Sequence, residues 1–221
     1  MPSRRDVNVG ILSAVAAAAT ATKTLAQAAE EQAITLPAPA LEDGMSLMRA
    51  LNKRQSIRDY ADRALPKEIL SNLLWAAWGV NRRESDGRTA PRWRGVYALD
   101  IYLSMADGVW LYEPQSHRIL FYQAGDLRGQ TTTGQSFVAT APLNLVYAFD
   151  LSKLKGTETE KLAAAGASVG VVAQNVYLYC ASAGLATVLR ESVPGEALAK
   201  TLKLPPGQVI QFAQTVGYPK G

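Results

Sequence analysis

The chain has very little of the residue types that build disulfides and transition-metal sites. Its 221 residues include one cysteine, Cys180, and one histidine, His117. A lone cysteine excludes an internal disulfide, and these two residues are too few for a zinc site made of cysteine and histidine ligands. We therefore expect no metal, and demanding chemistry would be easier with an organic cofactor.

The excess of positive charge is also small. The formal charge is +4, but three of the 23 basic residues and one of the 19 acidic residues lie in the first 28 positions, which leaves 20 and 18. This balance argues against nucleic acid or an anionic membrane surface as a partner. Hydrophobic residues at 48% and charged residues at 19% are typical of a globular protein, and the length suits one domain.

Residues 1–28 have the three parts of an export signal. Arg4 and Arg5 form a basic start, residues 7–21 are apolar, and small residues allow cleavage after Ala28. The paired arginines resemble a twin-arginine signal, which carries folded proteins. The apolar run is too short and too rich in alanine for a transmembrane helix, so we expect no stable membrane insertion. The sequence predicts a periplasmic protein, or a cytoplasmic one if this start is not a signal.

The rest of the sequence predicts a linker over residues 29–44 and one α+β domain over residues 45–221. Apolar residues recur at helical spacing in four stretches, and shorter alternating stretches between them predict antiparallel strands. Helices that flank a mainly antiparallel sheet define the fold class. The helical stretches are 41–54, 65–80, 158–183 and 194–202, and the strands are 96–104, 108–114, 117–123, 141–150 and 208–218.

A run of alternating polar residues follows the first helical stretch. If the chain is extended at Arg54, Ser56 and Arg58, these three side chains share one face. Two guanidinium groups and a hydroxyl would then converge on one anion. On a helix they would diverge, and the run would be an ordinary solvated helix end. The residues by themselves leave both interpretations open.

Two other features are interpreted as structural. Residues 166–170 match the G-x-S-x-G motif of serine hydrolases, but that motif needs a preceding strand and a later histidine. Here it lies in a helical stretch and the single histidine, His117, comes earlier, so a hydrolase is a poor interpretation. We expect His117 to be an exposed hairpin residue. The small residues of this stretch favour close helix packing, within the chain or across a dimer.

Several stretches, taken in order, resemble the FMN-dependent nitroreductase superfamily. They are KRQSIRDYADRALPKEILSNLLWAAWGVNR, GRTAPRWRGVYALDIYL, GQSFVATAPLNLVYAFD, AAAGASVGVVAQNVYLYCASAGLATVLRES and LKLPPGQVIQFAQTVGYPK. Together they cover nearly all of residues 45–220. The resemblance implies a nitroreductase-like fold, an FMN cofactor and an obligate homodimer.

The resemblance also implies how the phosphate end of FMN is held. Residues equivalent to Arg54, Gln55 and Ser56 hold the flavin phosphate and the ribityl chain in that family. The equivalent of Arg58 contacts the pyrimidine edge of the flavin. Near the C-terminus, Lys220 matches a basic residue that closes on the phosphate.

Two further segments match parts of the family that lie near the flavin ring. The turn formed by Leu189, Arg190, Glu191 and Ser192 falls where backbone amides approach flavin N5. A loop at residues 91–93 matches one that reaches the flavin of the partner subunit. The residues of that loop are Pro91, Arg92 and Trp93.

The chain departs from the family pattern on the substrate side. After Pro91 the family usually carries a small hydroxyl residue, then asparagine and glutamine, where this chain has Arg92, Gly95 and Tyr97. Glu191 also stands in a turn that usually contains glycine. We therefore expect a bulkier and more basic pocket than that of an ordinary nitroaromatic reductase.

The implied activity is electron transfer from a reduced donor, through flavin N5, to a small organic acceptor. Protein export conflicts with the usual donor, because NAD(P)H is cytoplasmic, so an exported relative would need a quinol or a partner protein as reductant. Two alternatives stay open: a non-catalytic flavin carrier, and a flavin-dependent dehydrogenase that oxidises a small substrate.

Overall fold

The computed structural model describes residues 33–221, and the predicted export signal lies outside them. This part of the chain forms a seven-stranded sheet with helices on both faces, together with a separate two-stranded ribbon. The strands are β1 (Ala33–Thr35), β2 (Val80–Arg82), β3 (Gly87–Arg88), β4 (Leu99–Met105), β5 (Gly108–Glu113), β6 (Arg118–Ala124), β7 (Leu143–Asp150), β8 (Ala186–Arg190) and β9 (Gln208–Gly217).

The helices follow the apolar periodicity of the sequence closely. The longest one begins with a capping box, in which Thr157 and Glu160 satisfy each other's backbone amides, and ends at Gly184, whose φ of 69° is favourable for glycine. The helices are α1 (Leu47–Lys53), α2 (Lys67–Trp78), α3 (Phe137–Thr140), α4 (Glu158–Ala183) and α5 (Gly195–Thr201).

Every pairing in the large sheet is antiparallel, in the order β1-β6-β5-β4-β7-β9-β8. The central strand β7 is buried on both faces, as its continuous apolar sequence predicts. On one face α2 and α4 cover the main core, and on the other face α5 covers a smaller core around Leu198 and Leu202. The predicted α+β class and the antiparallel sheet are confirmed.

The described part of the predicted linker contains a strand. β1 pairs with β6 at the edge of the sheet, and Leu36 beside it is buried. The prediction of a linker over residues 29–44 is therefore wrong for residues 33–36. Three residues are too few for a recognisable alternation, so the strand depends on the neighbouring edge that it pairs with.

His117 is the second correction. We expected an exposed hairpin residue, but its ring is half-buried and both nitrogens are bonded. Nε2 lies 2.7 Å from the Ser71 hydroxyl and Nδ1 lies 2.9 Å from the Tyr112 hydroxyl. Burial lowers the pKa of His117 below its ordinary value. Its bond to Ser71 joins the β5–β6 hairpin to α2. The segment after β1 passes over the same place, since the Leu36 amide donates to the His117 carbonyl.

The first helix presents apolar side chains to solvent. In α1, Leu47 and Met48 are 62% and 74% exposed, while Ala50 on the opposite side is buried where α1 packs against α4. Leu51 is exposed as well. The helical spacing of these residues is confirmed, but within residues 33–221 nothing covers their apolar face. An uncovered apolar patch of this kind is typical of an interaction surface.

Candidate functional site

The alternating polar segment that follows α1 is not helical. α1 ends at Lys53, and residues 54–59 run beside the outer edge of β8, where the Ile57 amide donates to the Thr187 carbonyl at 3.0 Å. A helical conformation of this run is therefore excluded. β8 is the last strand of the sheet, so this edge is open to side chains from the segment.

Tyr177 of α4 ties this segment to β8. Its hydroxyl lies 2.9 Å from Ser56 Oγ and accepts the Leu189 amide at 2.9 Å. The Arg54 guanidinium lies over the Tyr177 ring at 5.4 Å from the centroid. The structure thus brings together residues that are more than 120 positions apart. Sequence reasoning missed Tyr177, because a tyrosine in an apolar helix has the same pattern as a packing residue.

The C-terminus lies against the same segment. The Lys220 amide donates to the Asp59 carbonyl at 3.3 Å, and Tyr60 pairs with Pro219 in an antiparallel bridge. The position predicted for Lys220, near the alternating run, is consistent with this contact. Asp59 and Lys220 are more than 160 residues apart in the sequence, and β9 brings the C-terminus to this segment because it runs beside β8.

Three cations of this region have no acidic partner. Within residues 33–221, no carboxylate forms an ion pair with Arg54, Arg58 or Lys220. Gln55 and Arg58 are exposed on the same segment. Positive charges gathered without acidic partners favour an anionic ligand such as a phosphate.

The end of β8 supplies polar groups of a different kind. Thr187 and Leu189 turn their backbone groups to the outer edge, so strand alternation places the Glu191 amide on the same edge. The adjoining loop is fixed by a bond from the Thr133 amide to the Ser192 carbonyl. Ser192 Oγ is buried and has no hydrogen-bond partner within the described residues, and the same holds for Gln135 Oε1 in that loop.

Arg190 places a buried positive charge beneath this turn. It is 3% exposed, and its guanidinium donates to the Thr215 hydroxyl at 2.9 Å, to the Thr131 carbonyl at 2.8 Å, and to the Thr131 hydroxyl and Asn144 Oδ1 at 3.3 Å. All of these acceptors are neutral. Burial lowers the pKa of Arg190 to about 10, which still leaves it charged at neutral pH. Its side chain points into the core, so only its charge acts on the site.

The loop at residues 91–93 lies elsewhere. Trp93 lines a pocket with Ala163 near the N-terminal end of α4, whereas Ser56 bonds to Tyr177. Ala163 and Tyr177 are separated by roughly 21 Å along the helix axis, at 1.5 Å per residue. Arg92 lies over the Tyr97 ring, on the same side as Trp93. One chain therefore does not bring Trp93 to the cations around Ser56.

Metal sites, nucleophiles and membrane spans have little support in the described chain. No group of three or more histidine, cysteine, aspartate or glutamate residues in the described chain is arranged to hold a metal ion. Ser168 lies inside α4 with its hydroxyl bonded to the Ala164 carbonyl at 2.8 Å, so the G-x-S-x-G match is not a nucleophile. Among residues 33–221, α4 alone is long and apolar enough to span a membrane, but it is the core helix that packs on the sheet and on α2.

The site as a whole suits an elongated ligand with an anionic end. The cations lie near Ser56, and the unpartnered Ser192 hydroxyl and the buried Arg190 charge lie at the end of β8. Orphaned polar atoms are costly when buried, and a ligand that bonds to them removes that cost. A flavin nucleotide, with a phosphate at one end and hydrogen-bonding ring atoms at the other, fits this set of residues.

The fold and this arrangement define an α+β protein with a site suited to an elongated anionic ligand. A model of the Nitroreductase family matches residues 51–218, and the chain belongs to that family. It is 34% identical over 160 residues to "Putative nitroreductase MJ1384" of Methanocaldococcus jannaschii, an alignment that covers 68% of this chain and 80% of that protein.

Solved structures give the same result. A "putative nitroreductase" from Ralstonia eutropha JMP134 is 38% identical with a TM-score of 0.81, over 86% of this chain and 90% of that one. The NADPH:FMN oxidoreductase from Vibrio harveyi, complexed with NAD+, is 17% identical with a TM-score of 0.61, over 79% and 69% of the chains. The second likeness shows the shared fold. The family predicted from the sequence is confirmed.

Proposed function

We propose that this protein is an FMN-dependent oxidoreductase that passes electrons from a reduced donor to a small organic acceptor. The observation that carries the proposal is the chain of contacts Ser56–Tyr177–Leu189, which joins the unpaired cations to the open edge of β8. Membership of the Nitroreductase family supports it, as does the NADPH:FMN oxidoreductase that shares the fold. In this proposal, Arg54, Gln55, Ser56 and Lys220 hold the phosphate and the ribityl chain.

The protein's part in the reaction is positioning and electrostatics. FMN, when bound, supplies two-electron chemistry at its N5 atom. The Glu191 amide and the Ser192 hydroxyl lie at the end of β8, where they would hold the edge of the flavin ring. Arg58 and the buried Arg190 supply positive charge that favours added electrons, and burial reduces the screening of the Arg190 charge by water. No side-chain nucleophile is needed.

The proposal includes a homodimer. α4 exposes a stripe of small residues, Ala163, Ala167 and Gly170, with Val171 38% exposed beside it. A Cβ added at Gly170 would meet no atom of its own chain within 4 Å, so packing within one chain does not require a glycine there. A second copy on this stripe would also cover the apolar side of α1 and bring its Trp93 loop to the cations around Ser56. Each site would then contain the cations of one chain and the Trp93 loop of the other.

We also propose that the protein acts in the periplasm after export as a folded, FMN-loaded molecule. The basis is the signal-like sequence of residues 1–28. Because NAD(P)H is a cytoplasmic donor, the reductant in that compartment would be a quinol or a partner protein.

The absorption spectrum of protein purified from the periplasm tests the cofactor directly. We expect yellow protein that releases FMN on denaturation and runs as a dimer. Colourless protein that stays empty after incubation with FMN would refute the proposal. Stopped-flow reduction by NADH, NADPH and quinols then separates an enzyme from a flavin carrier, which would be reduced by none of them, and from a dehydrogenase, whose flavin would be reduced by its own substrate.

Replacing Arg58 with glutamate tests the proposed electrostatic role. The reversed charge should weaken FMN binding by more than tenfold, which corresponds to about 1.4 kcal/mol or more. It should also lower the reduction potential of the bound flavin, because a carboxylate repels the added electrons. Lys200→Glu on α5 is the control, because that exposed lysine lies on the other face of the sheet. An Arg58→Glu variant with unchanged occupancy and potential would contradict the role.

A further inference from the structure

A small pocket beside the N-terminal end of α4 gathers three cations around an indole ring. Its volume is about 200 Å³, and Trp93, Arg94, Lys155 and Lys161 are among the residues that line it. The three cations come from different parts of the fold: the Trp93 loop, the turn before α4, and α4 itself. Their convergence is therefore a property of the folded chain and not of a run of basic sequence.

The one acidic residue of the pocket is already engaged. Glu160 Oε2 accepts the Thr157 amide at 2.8 Å and the Thr157 hydroxyl at 3.1 Å, which completes the cap of α4. These bonds, and the nearby Arg94 charge, hold the pKa of Glu160 below its ordinary value. Within the described chain, none of the ion pairs involves the three cations of the pocket. The lining carries a net charge of two positive units.

The walls of the pocket suit a flat apolar group. The Trp93 side chain is 42% exposed, while Trp78 and Trp110 are buried in the core. Leu154 and Ala163 complete the apolar lining. An exposed indole offers a face on which an aromatic ring stacks. Small-molecule sites commonly combine such apolar walls with a few convergent polar groups.

We infer that this pocket binds the charged end of a small aromatic anion, so that the acceptor of this protein is an aromatic carboxylate or sulfonate. A neutral aromatic would stack on Trp93 but leave the three cations unpaired and repelling one another. The inference rests on the proposed function, because in the homodimer the loop at residues 91–93 is expected to reach the flavin of the partner subunit. It also gives a role to Arg94, which adjoins a position where this loop usually carries a small polar residue.

Equilibrium dialysis with two matched probes tests the pocket without turnover. 4-Nitrobenzoate and 4-nitrobenzamide have the same size and the same nitro group, but only the first is an anion at neutral pH. We expect the purified protein to bind the acid about tenfold more tightly than the amide, with quenching of Trp93 fluorescence that is lost in Trp93→Phe. Equal dissociation constants for acid and amide would overturn the inference.

Charge-removing variants locate the effect. Lys161→Gln and Arg94→Gln should each weaken binding of the acid by about threefold to tenfold and leave the amide unchanged. Lys200→Gln, an exposed lysine on α5, is the matched control and should change neither. Variants that weaken acid and amide equally would show a structural effect and would also overturn the inference.

Turnover gives an independent readout. With a quinol as reductant, reduction of the nitro group to nitroso takes two electrons and two protons, releases one water, and leaves the quinone. We expect kcat/KM to favour the acid by the same factor as binding, with the difference in KM. A protein without FMN would refute the proposed function, whereas dialysis would still decide whether the pocket selects anions.

Discussion

Tyr177 is the residue on which the candidate site depends most directly. Its hydroxyl is hydrogen-bonded to both Ser56 Oγ and the Leu189 amide, so it holds the cationic segment beside β8. The ring also supports the Arg54 guanidinium. It acts on a ligand through these neighbours and is a positioning residue.

Replacing Tyr177 with phenylalanine should therefore weaken FMN binding by about fivefold to thirtyfold, because the change removes two hydrogen bonds and each costs about 1 kcal/mol. Titration followed by flavin fluorescence measures this change. Tyr179→Phe is the matched control, since its hydroxyl lies on the same helix but contacts the Ile69 carbonyl. In a double-mutant cycle, the losses of FMN binding free energy caused by Tyr177→Phe and Ser56→Ala should not add, because both changes remove the same hydrogen bond. Equal losses in Tyr177→Phe and Tyr179→Phe would contradict the assignment.

His117 makes stability depend on pH. Burial lowers its pKa in the folded chain, and an unfolded histidine titrates near 6.5. As pH falls through about 6.5 the unfolded chain binds the proton first, so the free energy of unfolding decreases toward acid pH and its full value is present above this pKa.

Urea unfolding at about pH 7.5 and about pH 5.5 checks this dependence. We expect the loss of stability between the two values to be smaller in His117→Asn than in the natural chain. Asparagine tolerates the φ of 49° at this position, and the chain has no other histidine to confuse the comparison. An identical loss in both proteins would show that His117 does not titrate in this range.

At the scale of elements, α4 has two different faces. One is buried against the sheet and α2, and the other exposes the small residues expected at a dimer seam. Small residues let two helices approach closely, and a large charged side chain at the seam would be buried without a partner.

Ala167→Arg should therefore convert the proposed dimer to a monomer and remove FMN, with dimerisation weakened by more than about a hundredfold for a cost of about 3 kcal/mol. Analytical ultracentrifugation measures the first effect and absorbance measures the second. Ala197→Arg is the matched control, because it places the same side chain at an exposed alanine of α5. If Ala167→Arg stays dimeric and yellow, the seam lies elsewhere.

At the scale of the whole molecule, the chain joins a signal-like start to a complete sheet. Changing Arg4 and Arg5 to lysine should keep the protein in the cytoplasm, because a twin-arginine signal depends on both guanidinium groups. Cell fractionation with an antibody measures the distribution. The pair Arg82 and Arg83, changed in the same way, is the control. Unchanged export in the first variant would exclude this pathway.

Much of the fold follows from local patterns. The helical period predicts α4 at its observed bounds, and the apolar run at residues 141–150 predicts a central strand. β1 and the bonded state of His117 were not predictable, because both depend on an edge and a hydroxyl supplied by distant segments. The alternating run at Arg54 left helix and extended chain open until its contact with β8 excluded the helix.

The sequence by itself determined the order and type of most elements, the family, and the residue types of a candidate flavin site, since periodicity and motifs are local properties. The tertiary structure alone decided that Tyr177 links Ser56 to Leu189, that Arg190 is charged and buried among neutral groups, and that the Trp93 loop lies away from the cations of its own chain. These features depend on contacts between residues that are far apart in the chain. Packing creates such contacts, and no local sequence pattern encodes them.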